Sequence, residues 1–346
     1  MDLLKKLPSL EKKTKKELLE TLLREEYGYL PSAPCELSAE IVETYKNFAA
    51  GSAFLEKIML TLTGEWGRFS FPVYFAYPKC KDKKHPAFVH VNFRDHVPDM
   101  CQPTEEILDR GYATLTFCYK DISSDDGDFT NGFAGVVYKN GERDERASGK
   151  IGLWAWAAMR VMDYAMTRDE LDHSRISVTG HSRLGKTALL AGALDERFYC
   201  AFSNNSGCSG AALARENTGE TVAKICDRFP FWFNKRYLQY ADREDEMPFD
   251  QHFLIAANYP HRVYVASAEG DAWACPPNEL LGCRAASAFY QANGKRGFVD
   301  TKGLVAAAGN VNHEGDIGYH CRAGSHYQSR HDWNLYIDYL EKMENE

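Results

Sequence analysis

The ten cysteines of this 346-residue chain include no Cys-x-x-Cys pair and none of the short, repeated spacings that zinc sites require. We therefore expect free thiols in a reducing compartment and no bound metal. The chain also lacks any run of about 18 apolar residues, the length that a membrane-spanning helix needs. A membrane partner is therefore not expected.

Basic residues are not in excess, since 41 lysines and arginines stand against 49 aspartates and glutamates, which gives a net charge of −8. Because the cations are spread along the chain, a nucleic acid partner is not expected. Residues 1–13 carry charges throughout and lack the apolar segment and the small-residue cleavage site of a secretory signal. We therefore predict a cytoplasmic protein, a prediction that a previously removed leader would overturn.

The chain is long and apolar enough to bury a large core, with 44% hydrophobic and 13% aromatic residues. It has no internal repeat, no low-complexity tract and no linker long enough to separate domains. We therefore predict a single domain over residues 1–346, in which residues 1–80 supply an N-terminal helix and antiparallel strands. Leucines spaced among lysines and glutamates place that amphipathic helix at residues 9–27.

Residues 36–78 contain alternating segments that are typical of antiparallel strands, with Pro72 at an edge or a bulge. Continuous apolar runs, which are typical of buried parallel strands, follow. These runs cover residues 86–93, 112–119, 176–179, 200–204, 262–268 and 304–308. Because helical segments such as residues 151–166 separate them, we predict an α/β protein whose central sheet is mostly parallel and has helices on both faces.

One short segment, residues 176–190, indicates where the chemistry lies. An apolar strand ends at Gly180, His181 and Ser182, and helical spacing of small and apolar residues begins at once. A sharp strand-to-helix turn exposes the serine hydroxyl and the following N–H groups at one point, which suits a nucleophile. The usual motif is G-x-S-x-G, but here the glycine comes one residue late, at Gly185. The alternative interpretation is that Ser182 only caps the helix.

Two further candidates follow the serine in the chain. In parallel sheets, ligands bind at the carboxyl ends of the strands. Asp271 lies just after the predicted strand 262–268, and His326 ends the segment 318–326. The order serine, acid, histidine is that of α/β-hydrolase catalytic triads. Asp271 has an alternative role as a helix cap, and Glu269 in the same loop is the competing acid.

Four histidines lie near the C-terminus, and two of them compete for the role of the base. His320 follows residues 317–319 and has the position of a strand residue, whereas His326 stands at the start of a loop before a helix. We favour His326 and keep His320 as the alternative. His181, next to the serine, is expected to pack or to form a local hydrogen bond.

Residues 180–186, Gly-His-Ser-Arg-Leu-Gly-Lys, are similar to the G-x-S-R-x-G-K motif of the glucuronoyl esterases, carbohydrate esterase family 15. Other segments resemble the bacterial branch of that family. These segments are residues 206–212, 218–223, 229–233, 248–254, 267–273 and 317–333. The resemblance covers about residues 85–340 and implies an α/β-hydrolase fold.

The resemblance also implies an activity: cofactor-independent cleavage, through an acyl-enzyme, of esters of glucuronic or 4-O-methylglucuronic acid on xylan-derived saccharides. Ser182 would attack the carbonyl with His326 as base and Asp271 as acid. Arg183 would hold the oxyanion through its backbone N–H and its side chain, with a further N–H from residues 93–95. The substrate-binding residues would be Lys186, Glu220 and Trp273, the last as a flat face for the sugar ring.

Two positions depart from the fungal members of the family. Those enzymes carry a glutamate where this chain has Asn205, and a disulfide-forming cysteine where it has His181. Many members of the family are secreted. Two alternative functions stay open: an acetylxylan-type or general carboxylesterase with the same triad, and a catalytically inactive, sugar-binding relative.

Overall fold

The computed structural model describes residues 2–80 and 83–344, and its strands form one ten-stranded mixed sheet. The strands are β1 (Glu36–Phe48), β2 (Ala53–Gly64), β3 (Gly67–Pro78), β4 (His85–Asn92), β5 (Ala113–Cys118), β6 (Leu171–His181), β7 (Cys200–Asn204), β8 (Arg262–Ala268), β9 (Asn310–Asn312) and β10 (Ile317–Arg322). Their order across the sheet is β1-β2-β3-β5-β4-β6-β7-β8-β10-β9.

The centre of the sheet is parallel and its two edges are antiparallel. Strands β5, β4, β6, β7, β8 and β10 are parallel neighbours, β1 to β3 form an antiparallel extension that joins β5, and β9 pairs antiparallel with β10. The predicted mostly parallel sheet with antiparallel N-terminal strands is confirmed. Pro72 lies in regular register opposite Met59, in the part of β3 that β5 leaves unpaired, because β5 pairs only with residues 74–76.

Helices cover both faces of the sheet. They are α1 (Asp2–Lys6), α2 (Lys15–Leu22), α3 (Thr104–Asp109), α4 (Tyr119–Ile122), α5 (Gly132–Val137), α6 (Lys150–Ala165), α7 (Arg183–Leu194), α8 (Val222–Arg228), α9 (His252–Ala256), α10 (Pro276–Ala292) and α11 (Arg330–Glu344). Alternate residues of a strand point to opposite faces, so Phe88 of β4 packs in the core beneath α11, whereas Val89 joins the larger core beneath α6 and α7. None of the described helices has the length and apolarity to cross a bilayer.

The N-terminal helix predicted over residues 9–27 begins later in the chain than expected. Helix α2 begins only at Lys15, because Thr14 caps it: the Thr14 hydroxyl accepts from the Glu17 N–H at 3.3 Å, and the Glu17 carboxylate accepts from the Thr14 N–H at 2.7 Å. The chain continues from α2 as a π-helical turn over Leu23–Tyr27.

The predicted last strand, residues 304–308, is wrong. Here the Val305 N–H donates to the Gly303 carbonyl at 2.8 Å and the Ala307 N–H to that of Val305 at 3.0 Å. These tight local bonds replace ladder hydrogen bonds, and Val305 is 63% exposed. The last parallel strand is instead β10, which carries His320 as one of its residues.

Candidate active site

Ser182 stands at the corner between β6 and α7 with φ 59° and ψ −127°, outside the regions that non-glycine residues favour. Its N–H donates to the Asn204 carbonyl of β7 at 2.8 Å. A Cβ at Gly180 would lie 2.2 Å from the Leu184 carbonyl oxygen, so the turn requires a glycine there. Leu184, at the position where the usual motif has its last glycine, is fully buried, and Gly185 passes close to the backbone of Asn204.

The structure brings Ser182, His326 and Asp271 into one hydrogen-bonded chain. His326 Nε2 lies 2.9 Å from Ser182 Oγ, and His326 Nδ1 lies 2.6 Å from Asp271 Oδ2. The acid and the histidine follow the neighbouring parallel strands β8 and β10, whose last residues, Ala268 and Arg322, are in register. The carboxyl ends of the strands therefore place the three side chains together. The imidazole is 41% exposed and the carboxylate 3%.

Asp271 is held as a carboxylate by several donors. Asn205 Nδ2 donates to its Oδ2 at 2.7 Å, and the Ala274 N–H donates to its Oδ1 at 3.3 Å. Burial acts to raise the pKa of Asp271, but the hydrogen bond and charge of His326, together with these donors, outweigh burial and lower the pKa below its usual value. The Asp271 side chain is therefore ionised at neutral pH, as an acid that stabilises an imidazolium must be.

The two competing residues lie elsewhere. Glu269 is exposed, and its Oε1 accepts from the Ala308 N–H at 3.4 Å. His320 is fully buried in the sheet, with Nε2 2.8 Å from Asp332 Oδ1 and Nδ1 3.0 Å from the Tyr264 hydroxyl. The geometry therefore favours Asp271 over Glu269 and His326 over His320.

His181 has the local role that was expected of it. Its Nδ1–H donates to Asn204 Oδ1 at 2.6 Å, and its ring centre lies 4.4 Å from that of His326. Burial, with a smaller contribution from the charge of His326, lowers the pKa of His181 to about 4. The ring next to the serine is therefore neutral when His326 gains a proton.

Arg183 is the first residue of α7, so its backbone N–H has no partner within the helix. Its guanidinium forms an ion pair with Asp125 and lies 4.7 Å from the ring centre of Trp232. The Trp232 indole N–H donates to the other oxygen of Asp125 at 2.8 Å. No role was predicted for Asp125 or Trp232, although Trp232 lies in one of the segments that resemble the family. Residues 93–95 were predicted to donate a further N–H to the oxyanion. The Phe93 N–H donates instead to Asn92 Oδ1 at 2.8 Å.

The predicted substrate-binding residues meet beside the serine. Lys186 Nζ donates to Glu220 Oε2 at 2.7 Å and to the Cys208 carbonyl, and the Trp273 indole donates to Glu220 Oε1 at 3.1 Å. The pocket that they share is lined by Ser182, Lys186, Asn205, Ser206, Gly207, Glu220, Trp232, Trp273, Ala274 and His326. Lys186 and Glu220 form a nearly buried ion pair, which the sequence did not predict.

Trp273 departs from the flat apolar face expected of it. The guanidinium of Arg228 lies 4.7 Å from the Trp273 ring centre, and Lys224 Nζ lies 5.7 Å from it. Two cations of α8 therefore cover part of the indole. Trp232 is the second indole that lines the pocket.

A further buried carboxylate, Glu279 of α10, lies behind the pocket. Its Oε2 accepts from the Ser267 hydroxyl at 2.6 Å, and its Oε1 accepts from the Gly207 N–H at 3.0 Å. Burial, opposed in part by these donors, raises the pKa of Glu279 to about 7. The folded protein therefore keeps a proton on Glu279 at pH values where the unfolded chain has lost it.

This pKa shift predicts a pH dependence of stability. Between about pH 4.5 and 7 the native state binds more protons at Glu279 than the unfolded state, so the free energy of unfolding should fall as pH rises, by at most about 1.4 kcal/mol per pH unit. Glu279→Gln should remove this contribution. The free energy of unfolding, measured by urea denaturation from pH 5 to 8, should fall less per pH unit in that variant than in Glu105→Gln, which changes an exposed side chain. Equal slopes would contradict the assignment.

A serine at a strand-to-helix corner of a parallel sheet, followed by an acid and a histidine at later strand ends, defines the α/β-hydrolase fold. The family model described as "Glucuronyl esterase, fungi" matches residues 49–294, more than two thirds of the chain. The chain therefore belongs to the glucuronoyl esterase family, and the resemblance seen at residues 180–186 is confirmed.

Named relatives come from prokaryotes and fungi. "Carbohydrate esterase MZ0003", from an unknown prokaryotic organism, is 41% identical over 239 residues, 68% of this chain and 55% of that protein. A "4-O-methyl-glucuronoyl methylesterase" of Podospora anserina is 27% identical over 261 residues, 72% of this chain and 50% of that protein. The chain spans about half the length of the curated relatives it matches.

Solved structures of the family match over most of the fold. A "Glucuronoyl Esterase from Solibacter usitatus" superposes with a TM-score of 0.86 and 30% identity, covering 95% of this chain and 92% of that one. A "CE15 glucuronoyl esterase" from Teredinibacter turnerae gives a TM-score of 0.88 and 27% identity, covering 98% and 88%.

Proposed function

We propose that this protein is a serine esterase that hydrolyses esters of glucuronic or 4-O-methylglucuronic acid on xylan-derived saccharides. The observation that carries the proposal is the hydrogen-bonded chain from Ser182 through His326 to Asp271 at the edge of a polar pocket. Family membership and the names of the relatives support the uronate as the acyl group. The cytoplasmic location predicted from residues 1–13 stays a prediction.

In the first half of the reaction, Ser182 Oγ attacks the ester carbonyl and His326 Nε2 takes its proton. Asp271 stabilises the resulting imidazolium, and His326 then gives the proton to the leaving alcohol. In the second half, His326 activates a water that attacks the acyl-enzyme, and the uronate leaves as Ser182 regains its proton. The backbone N–H and guanidinium of Arg183 stabilise the negative oxygen in both halves.

The sugar of the acyl group would bind to Lys186 and Glu220. Both side chains are nearly buried and both line the pocket, so one offers donors and the other acceptors to ring hydroxyls where water is scarce. The two charges also neutralise each other, so the pocket binds a neutral ester rather than attracting a free anion.

The Arg183 assignment predicts a large effect on turnover. Arg183→Ala should lower kcat about 10²-fold, the loss typical of an oxyanion donor, with a smaller change in KM. Steady-state kinetics on benzyl glucuronate measures both constants. Arg68→Ala, at an exposed arginine of β3, is the control and should resemble the wild type. An Arg183 variant that kept its kcat would remove the side chain from the mechanism.

A comparison of two esters tests the proposed function. Benzyl glucuronate should be hydrolysed with a higher kcat/KM than 4-nitrophenyl acetate, since only the uronate contacts Lys186 and Glu220. Activity on the acetate alone would point to an acetylxylan-type or general carboxylesterase. Failure to hydrolyse either ester, with no reaction of Ser182 with a fluorophosphonate, would point to an inactive sugar-binding relative.

A further inference from the structure

His326 lies in a loop, residues 323–329, that joins β10 to α11 and has no helix or strand of its own. Residues 323–326 are exposed. A general base must nevertheless stay within a fraction of an ångström of its working position, because a displacement of about 1 Å is enough to lower turnover about 10²-fold. Something in the surrounding structure must therefore fix this loop.

The guanidinium of Arg322, the last residue of β10, donates hydrogen bonds to three backbone carbonyls of this loop. Its Nη1 donates to the Ala323 carbonyl at 2.9 Å, and its Nη2 donates to the Ser325 carbonyl at 3.2 Å and to the Tyr327 carbonyl. Ser325 and Tyr327 are the residues on either side of His326. One planar group thus fixes the peptide that joins Ser325 to His326 and the peptide that joins Tyr327 to Gln328.

Asp332 of α11 holds the guanidinium in turn. Arg322 Nε lies 3.0 Å and 2.9 Å from the two oxygens of Asp332, a fully buried carboxylate that also accepts from the Ser329 N–H at 2.6 Å. Burial alone would raise the pKa of Asp332, but the hydrogen bond and charge of His320 and the charge of Arg322 lower it to about 2. The ionised Asp332 carboxylate therefore binds the loop at both ends, through Arg322 at its start and Ser329 at its end.

Two glycines let this arrangement form. Gly324 has φ 104°, and a Cβ there would lie 3.0 Å from Arg322 Nη1, so a side chain would press on the guanidinium. The Gly270 N–H donates to the Gly324 carbonyl at 2.8 Å, and a Cβ at Gly270 would lie 2.7 Å from the same oxygen. The loop that carries Asp271 is thereby joined to the loop that carries His326.

We propose that Arg322 is a positioning residue that sets the place of His326 relative to Ser182 and Asp271 through the carbonyls of residues 323, 325 and 327. The proposal rests on the proposed role of His326 as base. A lysine would keep the charge opposite Asp332, but its single ammonium cannot span three carbonyls while it pairs with the carboxylate. Arg322→Lys therefore keeps the positive charge but removes the hydrogen bonds that fix the loop.

The test compares Arg322→Lys with Arg215→Lys. Arg215 has the same construction away from the serine: a buried guanidinium 3.0 Å from the Asp250 carboxylate that donates to the Met247 and Phe249 carbonyls. Both variants should lower the melting temperature. Only Arg322→Lys should lower kcat on benzyl glucuronate, and the rate constant for reaction of Ser182 with a fluorophosphonate, about 10²-fold, with KM almost unchanged.

A double variant adds a measurement that a merely structural role would not change. If Arg322→Lys displaces His326 from Asp271, then Asp271→Asn should lower kcat far less in that background than in the wild type. The proposal is overturned if Arg322→Lys keeps the wild-type kcat and labelling rate, or if Asp271→Asn has its full effect in both backgrounds. If Arg322→Lys does not fold, Gly324→Ala, at an exposed position, takes its place with the same expected losses. The labelling measurement uses no ester, so it tests the position of His326 even if benzyl glucuronate is not a substrate.

Discussion

Ser182→Ala is expected to lower kcat on benzyl glucuronate about 10⁶-fold, since loss of the nucleophile removes the whole acyl-enzyme route. The hydroxyl lies 2.9 Å from His326 Nε2 at a corner that holds it at the mouth of the pocket. An alanine at this position removes only the hydroxyl group. Release of benzyl alcohol over hours, with circular dichroism to verify folding, measures the effect.

Ser174→Ala serves as the control for this prediction. Ser174 lies on the same strand β6 but near its other end, where its side chain is exposed and bonds to Asp172. The control should retain wild-type kcat and KM. A Ser182→Ala protein with more than about one hundredth of wild-type kcat would show that another group is the nucleophile.

Asp271→Asn should preserve the fold and lower kcat about 10⁴-fold. The carboxylate accepts from His326 Nδ1 at 2.6 Å and from Asn205 at 2.7 Å on the same oxygen. An asparagine is neutral, so the imidazole loses its charge partner, and an NH₂ group turned toward His326 also removes the hydrogen bond that orients the ring. Kinetics across a range of pH should show the loss at every pH at which the wild type is active.

Glu269→Gln is the matched control for Asp271→Asn, because it removes the other carboxylate of the same loop. Glu269 is exposed and its carboxylate contacts the Ala308 N–H rather than His326, so its loss should leave kcat unchanged. The reverse pattern, an active Asp271 variant and an inactive Glu269 variant, would transfer the role of the acid to Glu269.

Most of the sheet follows from local sequence patterns. Strands such as β4 and β8 are buried on both faces and therefore appear as continuous apolar runs. Two predictions about the fold were wrong, each for a specific physical reason. The apolar residues 304–308 form tight turns between glycines, and the start of α2 is set by the cap at Thr14 rather than by leucine spacing.

The site was predictable only in part. Ser182, Asp271 and His326 could be selected because their chain order and strand-end positions are fixed by topology. The partners that hold the site could not be selected, because their contacts join distant parts of the chain. Asp125 binds Arg183 from 58 positions away, and Arg322 acts on a backbone loop whose path the sequence pattern does not reveal.

The proposed activity is hydrolysis of an ester of glucuronic acid at Ser182. The most direct measurement is the rate at which a fluorophosphonate labels the folded protein, with and without a competing glucuronate ester, followed by identification of the labelled peptide by mass spectrometry. We predict a single label on Ser182, formed more slowly when benzyl glucuronate is present in excess. A label on another residue, or labelling of Ser182 at a rate that the uronate ester does not change, would contradict the claim.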